Sequence, residues 1–169
     1  SQNGTVYALD AKSGCISWTF TAKSGVRTAL AFGPREGANN YAVYFGDTGA
    51  NVYALDAATG RELWSRRLDE HPYARITGSP TLYQDRLFVP VSSMEETAAS
   101  QQGYECCRFR GSLNALDVKT GASVWQTFMV PPAQVAGKNA AGVTLWGPSG
   151  VGIWSAPTID VKRGLVYAG

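Results

Sequence analysis

The sequence predicts an all-β fold, a partial β-propeller, and three observations predict it. An eleven-residue unit recurs as Ala8–Trp18, Ala54–Trp64 and Ala115–Trp125, with the template A-L-D-x-x-[ST]-G-x-x-x-W. Its aspartates, Asp10, Asp56 and Asp117, stand 46 and 61 residues apart. The first spacing is that of a propeller blade of about 40–50 residues, and the second that of a blade carrying an insertion of about 15. Finally, 19 glycines and 19 aromatic residues among 169, with 17% charged residues, are the composition of short strands and tight turns. Helix signals are nearly absent.

The repeated unit reads as a strand ending at Leu-Asp, a turn with Gly at its left-handed position, and a new strand leading to Trp. The Asp or Ser/Thr side chain bonds the turn backbone, and the Trp is a large anchor between neighbouring blades. The other elements follow in order. A half blade, 1–22, holds strands at Thr5–Asp10 and Ile16–Phe20. A full blade, 23–70, holds Val26–Phe32, Tyr41–Gly46, Asn51–Asp56 and Glu62–Arg67. A second, 71–130, holds Ser79–Tyr83, Arg86–Val91, Ser112–Asp117 and Ser123–Met129. After a linker, 131–150, a half blade at 151–169 holds Ile153–Ile159 and Gly164–Ala168. Propellers typically need four to eight blades. The expectation is therefore a fragment of a longer propeller, with open sheet edges that make it marginal or aggregation-prone alone. Two stretches break the rhythm: the polar insertion Ser92–Arg110 and the Pro/Gly-rich connection Val130–Gly152. Long loops on a rigid scaffold commonly carry function.

Several function classes fall away. A net charge of +2 without a basic run gives little support to nucleic-acid binding. No stretch approaches the roughly 18 apolar residues of a spanning helix, and no signal-peptide pattern is present. Three cysteines exclude a disulfide-dense scaffold, and one histidine excludes a site built on several. Candidates remain. Adjacent Cys106-Cys107 reads either as a bridge between neighbours or as two separate thiols. Glu95, Glu96 and Glu105 in the insertion are Ca2+-type oxygen ligands or a solvated acidic loop. Arg27 opens a first strand, as a fork for a carboxylate or as a surface residue. Trp154 lies outside the repeat template, as a wedge or as a stacking platform. His71 reads as a solvated loop residue. Gly147–Gly152 matches neither a dinucleotide nor a P-loop spacing.

The repeat resembles the tryptophan-docking unit of pyrroloquinoline-quinone (PQQ) dehydrogenases, which are eight-bladed propellers with the quinone over the axis. It also resembles the repeat of BamB-like outer-membrane assembly propellers. The intervening segments favour the dehydrogenases. Ile76–Pro80 followed by Leu87–Glu95 is similar to a quinoprotein stretch running I-T-G-A-P and then a strand ending G-G-A-E. Val26–Ala29 is similar to N-R-G-x-A, and Ile153–Asp160 with Leu165–Gly169 fits the family's W-x5-D and L-x-Y-x-G spacings. Ser92–Glu96, Tyr104–Gly111 and Leu145–Pro157 look most like the polyvinyl-alcohol dehydrogenase type.

The resemblance implies that Arg27 and Thr77 bond the quinone, that Trp154 stacks on it and that Glu95, or its neighbour Glu96, ligates Ca2+. It implies that the Cys106–Cys107 pair covers the other ring face, although methanol-type enzymes carry their pair ahead of the matched arginine. The implied activity is oxidation of secondary alcohols with PQQ and Ca2+, electrons passing to cytochrome c in the periplasm. The family's catalytic aspartate and asparagine Ca2+ ligand fall beyond the matched region, so no base is named and the fragment alone is not expected to turn over. Asp160 reads as a turn residue. The rival readings are a non-enzymatic BamB-like scaffold and a sugar-oxidising quinoprotein differing in the Ser92–Arg110 loop.

Overall fold

Each repeat folds into the hairpin that its turn chemistry favours. The computed structural model describes residues 2–35 and 40–169. β1 (Thr5–Leu9) and β2 (Ile16–Thr21) form the first hairpin. β3 (Ala31–Pro34), β4 (Tyr41–Gly46), β5 (Asn51–Asp56) and β6 (Glu62–Arg67) form a four-stranded antiparallel sheet in chain order. In the next sheet, two short pieces, β7 (Ala74–Arg75) and β8 (Thr81–Tyr83), both pair with β9 (Arg86–Ser93). β10 (Ser112–Asp117) and β11 (Ser123–Phe128) complete it. A short helix, α1 (Glu95–Ala99), opens the insertion. β12 (Gln134–Lys138) pairs with β13 (Thr144–Gly147), and β14 (Thr158–Asp160) with β15 (Leu165–Tyr167). Among the described residues no helix is long and apolar enough to cross a membrane.

The three repeat turns are copies of one another. Asp10, Asp56 and Asp117 each accept on Oδ1 the amides two and three residues on and the Ser or Thr hydroxyl three residues on, all within 3.2 Å. Each hairpin has a register shift between its Ala and Leu. Such a bulge tightens the local twist.

The tryptophans then join one sheet to the next. Trp18 Nε1 donates to Ala57 O at 3.0 Å, and Trp64 Nε1 donates to Val118 O at 3.0 Å. Each acceptor follows the turn aspartate of the next repeat. Each ring also lies over that repeat's glycine: a Cβ on Gly60 would meet Trp18 at 2.6 Å, and one on Gly121 would meet Trp64 at 2.6 Å. Trp125, the third in the series, meets no such turn among the described residues and is 39% exposed.

The core accordingly lies between sheets. Val6, Ala22, Val26, Phe45, Tyr53 and Leu55 fill the first interface, with Trp18 and Phe20 packed against them. A larger cluster built on Tyr44, Val52, Ile76, Val89, Phe109 and Leu116 fills the second. Phe88, Leu113, Ala115 and Ile153 begin the third. Val52 and Ala54 face one neighbour, Tyr53 and Leu55 the other. β5 is thus buried on both faces, as a strand between two packed sheets must be.

Four expectations change. The expected strand Val26–Phe32 is paired only from Ala31 and runs on to Pro34, because the Thr28 side chain takes up the Gly46 amide and carbonyl. The expected strand Ser79–Tyr83 begins at Thr81 and gains a partner piece at Ala74–Arg75. The residues between them leave the ladder around Pro80, which has no amide to give. Ile153–Ile159 shortens to Thr158–Asp160, after Pro157. The linker and the insertion contain a hairpin and the helix α1, whose five residues are too few to show a helical period.

Two outcomes test this account. Gly121 and Gly14 share a left-handed backbone, at φ 69° and 72°, but only Gly121 has a ring over it; nothing lies within 4 Å of a Cβ at Gly14. In this chain, Gly14→Ala should cost about 1–2 kcal/mol from backbone conformation alone, and Gly121→Ala distinctly more. Equal losses in denaturant unfolding would reject the docking account. The second outcome concerns pH. The Thr120 hydroxyl is the main group holding the Asp117 carboxyl below the ordinary 3.8; partial burial opposes it, and the Thr120 and Lys119 amides add to the lowering. A lowered carboxyl stabilises the fold fully above 3.8, and that contribution is lost as pH falls through its folded value. Asp117→Asn should therefore melt earlier than the parent at pH 7, and the difference should shrink as pH falls below 3.8.

Candidate functional site

Five separated segments bring side chains to one end of three successive sheets. They line a pocket of about 290 Å3 formed by Arg27, Thr48, Arg75, Thr77, Met94 and Trp154. The local reasons differ. Arg27 is exposed between Val26 and Thr28, which are both buried. Val26 sits in the first inter-sheet core, and Thr28 grips Gly46 through its hydroxyl at 3.2 and 3.3 Å. Thr48 sits in the turn between β4 and β5. That turn is built on buried Asp47, which accepts the Gly49 and Asn51 amides, the Asn51 side chain and the Tyr53 hydroxyl. Burial is the main reason that the Tyr53 hydroxyl is pushed well above its ordinary pKa. The Thr48 amide donates to Gly25 O at 2.8 Å, tying this turn to the segment before Arg27.

Thr77 lies in the break between β7 and β8. Its hydroxyl is 3.0 Å from that of Ser92, which is fully buried and also donates to Arg75 O at 3.3 Å. Met94 follows the end of β9. Trp154 precedes β14 and is 48% exposed. The backbone holds it close by: Ile153 N donates to Val91 O, and Ser155 N and Oγ both donate to Gly169 O. Cross-sheet bonds lock the same end together. Ala29 N donates to Ser79 Oγ, Ile76 N to Asp47 O, and Thr81 Oγ1 to Pro157 O.

The pocket thus gathers Arg27, Thr77 and Trp154 from the residues expected to hold a quinone, and leaves Glu95, Cys106 and Cys107 outside its lining. Glu95 is 3% exposed and turned into the insertion. Its Oε1 accepts from the Arg108 amide at 2.9 Å and the Tyr104 hydroxyl at 3.0 Å, and lies 3.3 Å from His71 Nε2. Its Oε2 accepts from the Phe109 amide at 2.8 Å. Burial, then the Glu95 carboxylate, pushes the Tyr104 hydroxyl up to about 12. The donors hold this carboxylate in the insertion mainly through Oε1, while Oε2 accepts the Phe109 amide and keeps further acceptor capacity. Glu96 is exposed, and no group of three His, Cys, Asp or Glu side chains suited to a metal occurs among the described residues.

His71 is likewise not a solvated loop residue. It packs edge-on to Phe109 at 5.7 Å and reaches the Glu95 carboxylate. The cysteine pair is bridged. It is bound to β13 through Trp146 N to Cys106 O, 2.6 Å, and Cys107 N to Trp146 O, 3.3 Å. The Arg108 guanidinium lies 3.9 Å from the Trp146 ring centre. The pair therefore staples the insertion to the β12–β13 hairpin. Asp160 accepts the Lys162 and Arg163 amides and is a turn residue, as its sequence context implied.

Residue types alone did not single out Arg75, Thr48, Met94 or Ser92. Arg75 carried a signal: it stands two residues before Thr77, so in extended chain both share a side. Thr48 carried none, since its place depends on a turn from another sheet.

A propeller sector with a cationic, aromatic-walled pocket at one end of its blades defines the class. The family model described as outer membrane protein assembly factor BamB (PQQ_2) matches residues 2–145, and the chain belongs to this family of PQQ-type propeller repeats. Within it, the similarity runs to quinoprotein alcohol dehydrogenases. A polyvinylalcohol dehydrogenase of Pseudomonas sp is 44% identical over 99% of this chain and 27% of its own length. One from Sphingopyxis sp. (strain 113P3) is 41% identical over 100% of this chain and 26% of its own. In fold, the chain is similar to the quinohemoprotein alcohol dehydrogenase from Comamonas testosteroni. That TM-score is 0.70, at 22% identity, over all of this chain and 26% of that one. The chain spans about a quarter of the length of these relatives.

Glu95→Gln replaces one acceptor oxygen by a donor amide against the surrounding N–H groups. It should cost about 1–3 kcal/mol and speed hydrogen exchange at the Arg108 and Phe109 amides. Unchanged exchange at both would show that the carboxylate does not hold the insertion.

Proposed function

We propose that this chain is the cofactor-binding sector of a PQQ-dependent dehydrogenase that oxidises secondary alcohols of the kind polyvinyl alcohol presents. The supporting observation is the convergence of Arg27, Thr77 and Trp154 on one pocket. A guanidinium fork, a fixed hydroxyl and a flat ring are the parts needed to hold a carboxylated aromatic quinone. When bound, the quinone supplies the two-electron oxidation.

The chain's own share is binding and orientation. Arg27 offers paired N–H donors to a carboxylate. The Thr77 hydroxyl is held in one direction by buried Ser92, so it presents a defined hydrogen bond. Trp154 covers one ring face and excludes water there. No described side chain is assigned as the base for the alcohol proton. A calcium ion, which the family resemblance implies, would supply Lewis-acid polarisation of the quinone. Transfer of electrons to a cytochrome c, in the periplasm, completes the proposal and rests on the family resemblance. The rival reading, a BamB-like assembly scaffold, requires no quinone and no convergence of these three side chains.

The test is reconstitution of the full-length protein with PQQ. Arg27→Ala and Trp154→Ala should each weaken quinone binding about tenfold or more, the scale of a lost charge-assisted bond or a lost stacking face. Dye-linked oxidation of secondary alcohols should fall in parallel. Unchanged quinone affinity in both variants would overturn the site, and absence of quinone binding by the parent would favour the scaffold.

A further inference from the structure

The pocket carries a second arginine that the family-like motifs do not account for. Arg75 lines it together with Arg27, and no acidic side chain is among its lining residues. Among the described residues the two guanidinium groups also lack counter-ions. Arg27 makes no ion pair or hydrogen bond among the described residues. Arg75 uses only Nη1, which donates to Ala74 O at 2.7 Å and to Pro72 O at 3.1 Å. Of its five N–H donors, those on Nε and Nη2 have no partner among the described residues. Both contacts are to backbone carbonyls, so they orient the fork without neutralising it. Two uncompensated cations beside one aromatic wall make a site for an anion carrying more than one negative charge.

The substrate proposed above does not supply that charge, since a secondary alcohol is neutral. PQQ does, as a tricarboxylate. We propose that Arg75 is a second carboxylate-binding arginine of the quinone site, gripping a different carboxylate from the one Arg27 takes; this rests on the quinone reading above. Ser92 belongs to the same device. It donates to Arg75 O and contacts the Thr77 hydroxyl, so one buried hydroxyl sets the positions of two cofactor-facing residues. The pre-set Nη1 contacts reduce the freedom that Arg75 loses on binding, which favours affinity.

The experiment measures quinone affinity of the full-length apoprotein by fluorescence titration, with PQQ and with its uncharged trimethyl ester as probes. Arg75→Gln should weaken PQQ binding about tenfold or more, with Arg75→Lys in between because it keeps the charge but loses the fork. Arg75→Gln should lose no affinity for the ester. Unchanged PQQ affinity in Arg75→Gln would overturn the proposal and leave the quinone reading intact. Equal losses in both variants, with a lowered melting temperature, would assign Arg75 to holding the Pro72–Ala74 backbone and overturn it as well. A parent protein that binds no PQQ would overturn the quinone reading and this proposal together.

Discussion

One contact organises this chain: an indole from one sheet set over the glycine of the next sheet's turn, with its N–H on the carbonyl beside the turn aspartate. The hydrogen bond admits one ring position, and the glycine admits no side chain between ring and backbone. The turn must also be rigid for the ring to find it, which is the work of the aspartate and the Ser/Thr hydroxyl. Two such contacts join three successive hairpins, and the inter-sheet cores fill the space left between them. Because the same contact repeats, successive sheets bring residues to one shared pocket. Arg27, Thr48, Arg75, Thr77, Met94 and Trp154 meet in one pocket although up to 127 positions separate them in the chain.

What the sequence revealed follows from where the structure is dictated locally. Tyr41–Gly46, Asn51–Asp56, Glu62–Arg67 and Ser112–Asp117 form strands at the expected residues, because the repeat carries its own turn chemistry and an alternating pattern. The first strands were less legible, because side chains of other strands or absent proline amides interrupt their pairing; Thr28 on Gly46 is invisible in a one-dimensional pattern. At the site, Arg27, Thr77 and Trp154 could be picked out by residue type within family-like motifs. Motif matching does not say which way a side chain turns. Glu95 holds the expected motif position, yet its carboxylate faces the amides of Arg108 and Phe109. His71 looked solvated only because its partner lies 24 positions away.

The insertion behaves as a built part of the fold. Buried Glu95 gathers its two ends, joining the start of α1 to the segment that re-enters β10. The bridged cysteines and Arg108 then fasten that segment to β13. Further on, Gly111 N donates to Gly150 O and Gly150 N to Phe109 O, so the insertion and the connection before Trp154 share a short ladder. The position of Trp154 therefore depends on the insertion as well as on its own sheet, which links the insertion to the ring that walls the pocket.

The tryptophan contact has a direction. Each sheet gives a ring to its successor and offers a turn to its predecessor, so the two sides of a blade are unlike and complementary. A contact of that kind has no self-limiting number. Repeated with a rotation that returns to its start, it closes into a ring of finite size; repeated with any other rotation, it runs on as a helix or a filament. Among the described residues, the ring of Trp125 and the glycine of the first turn are the giving and receiving sides left without such a contact.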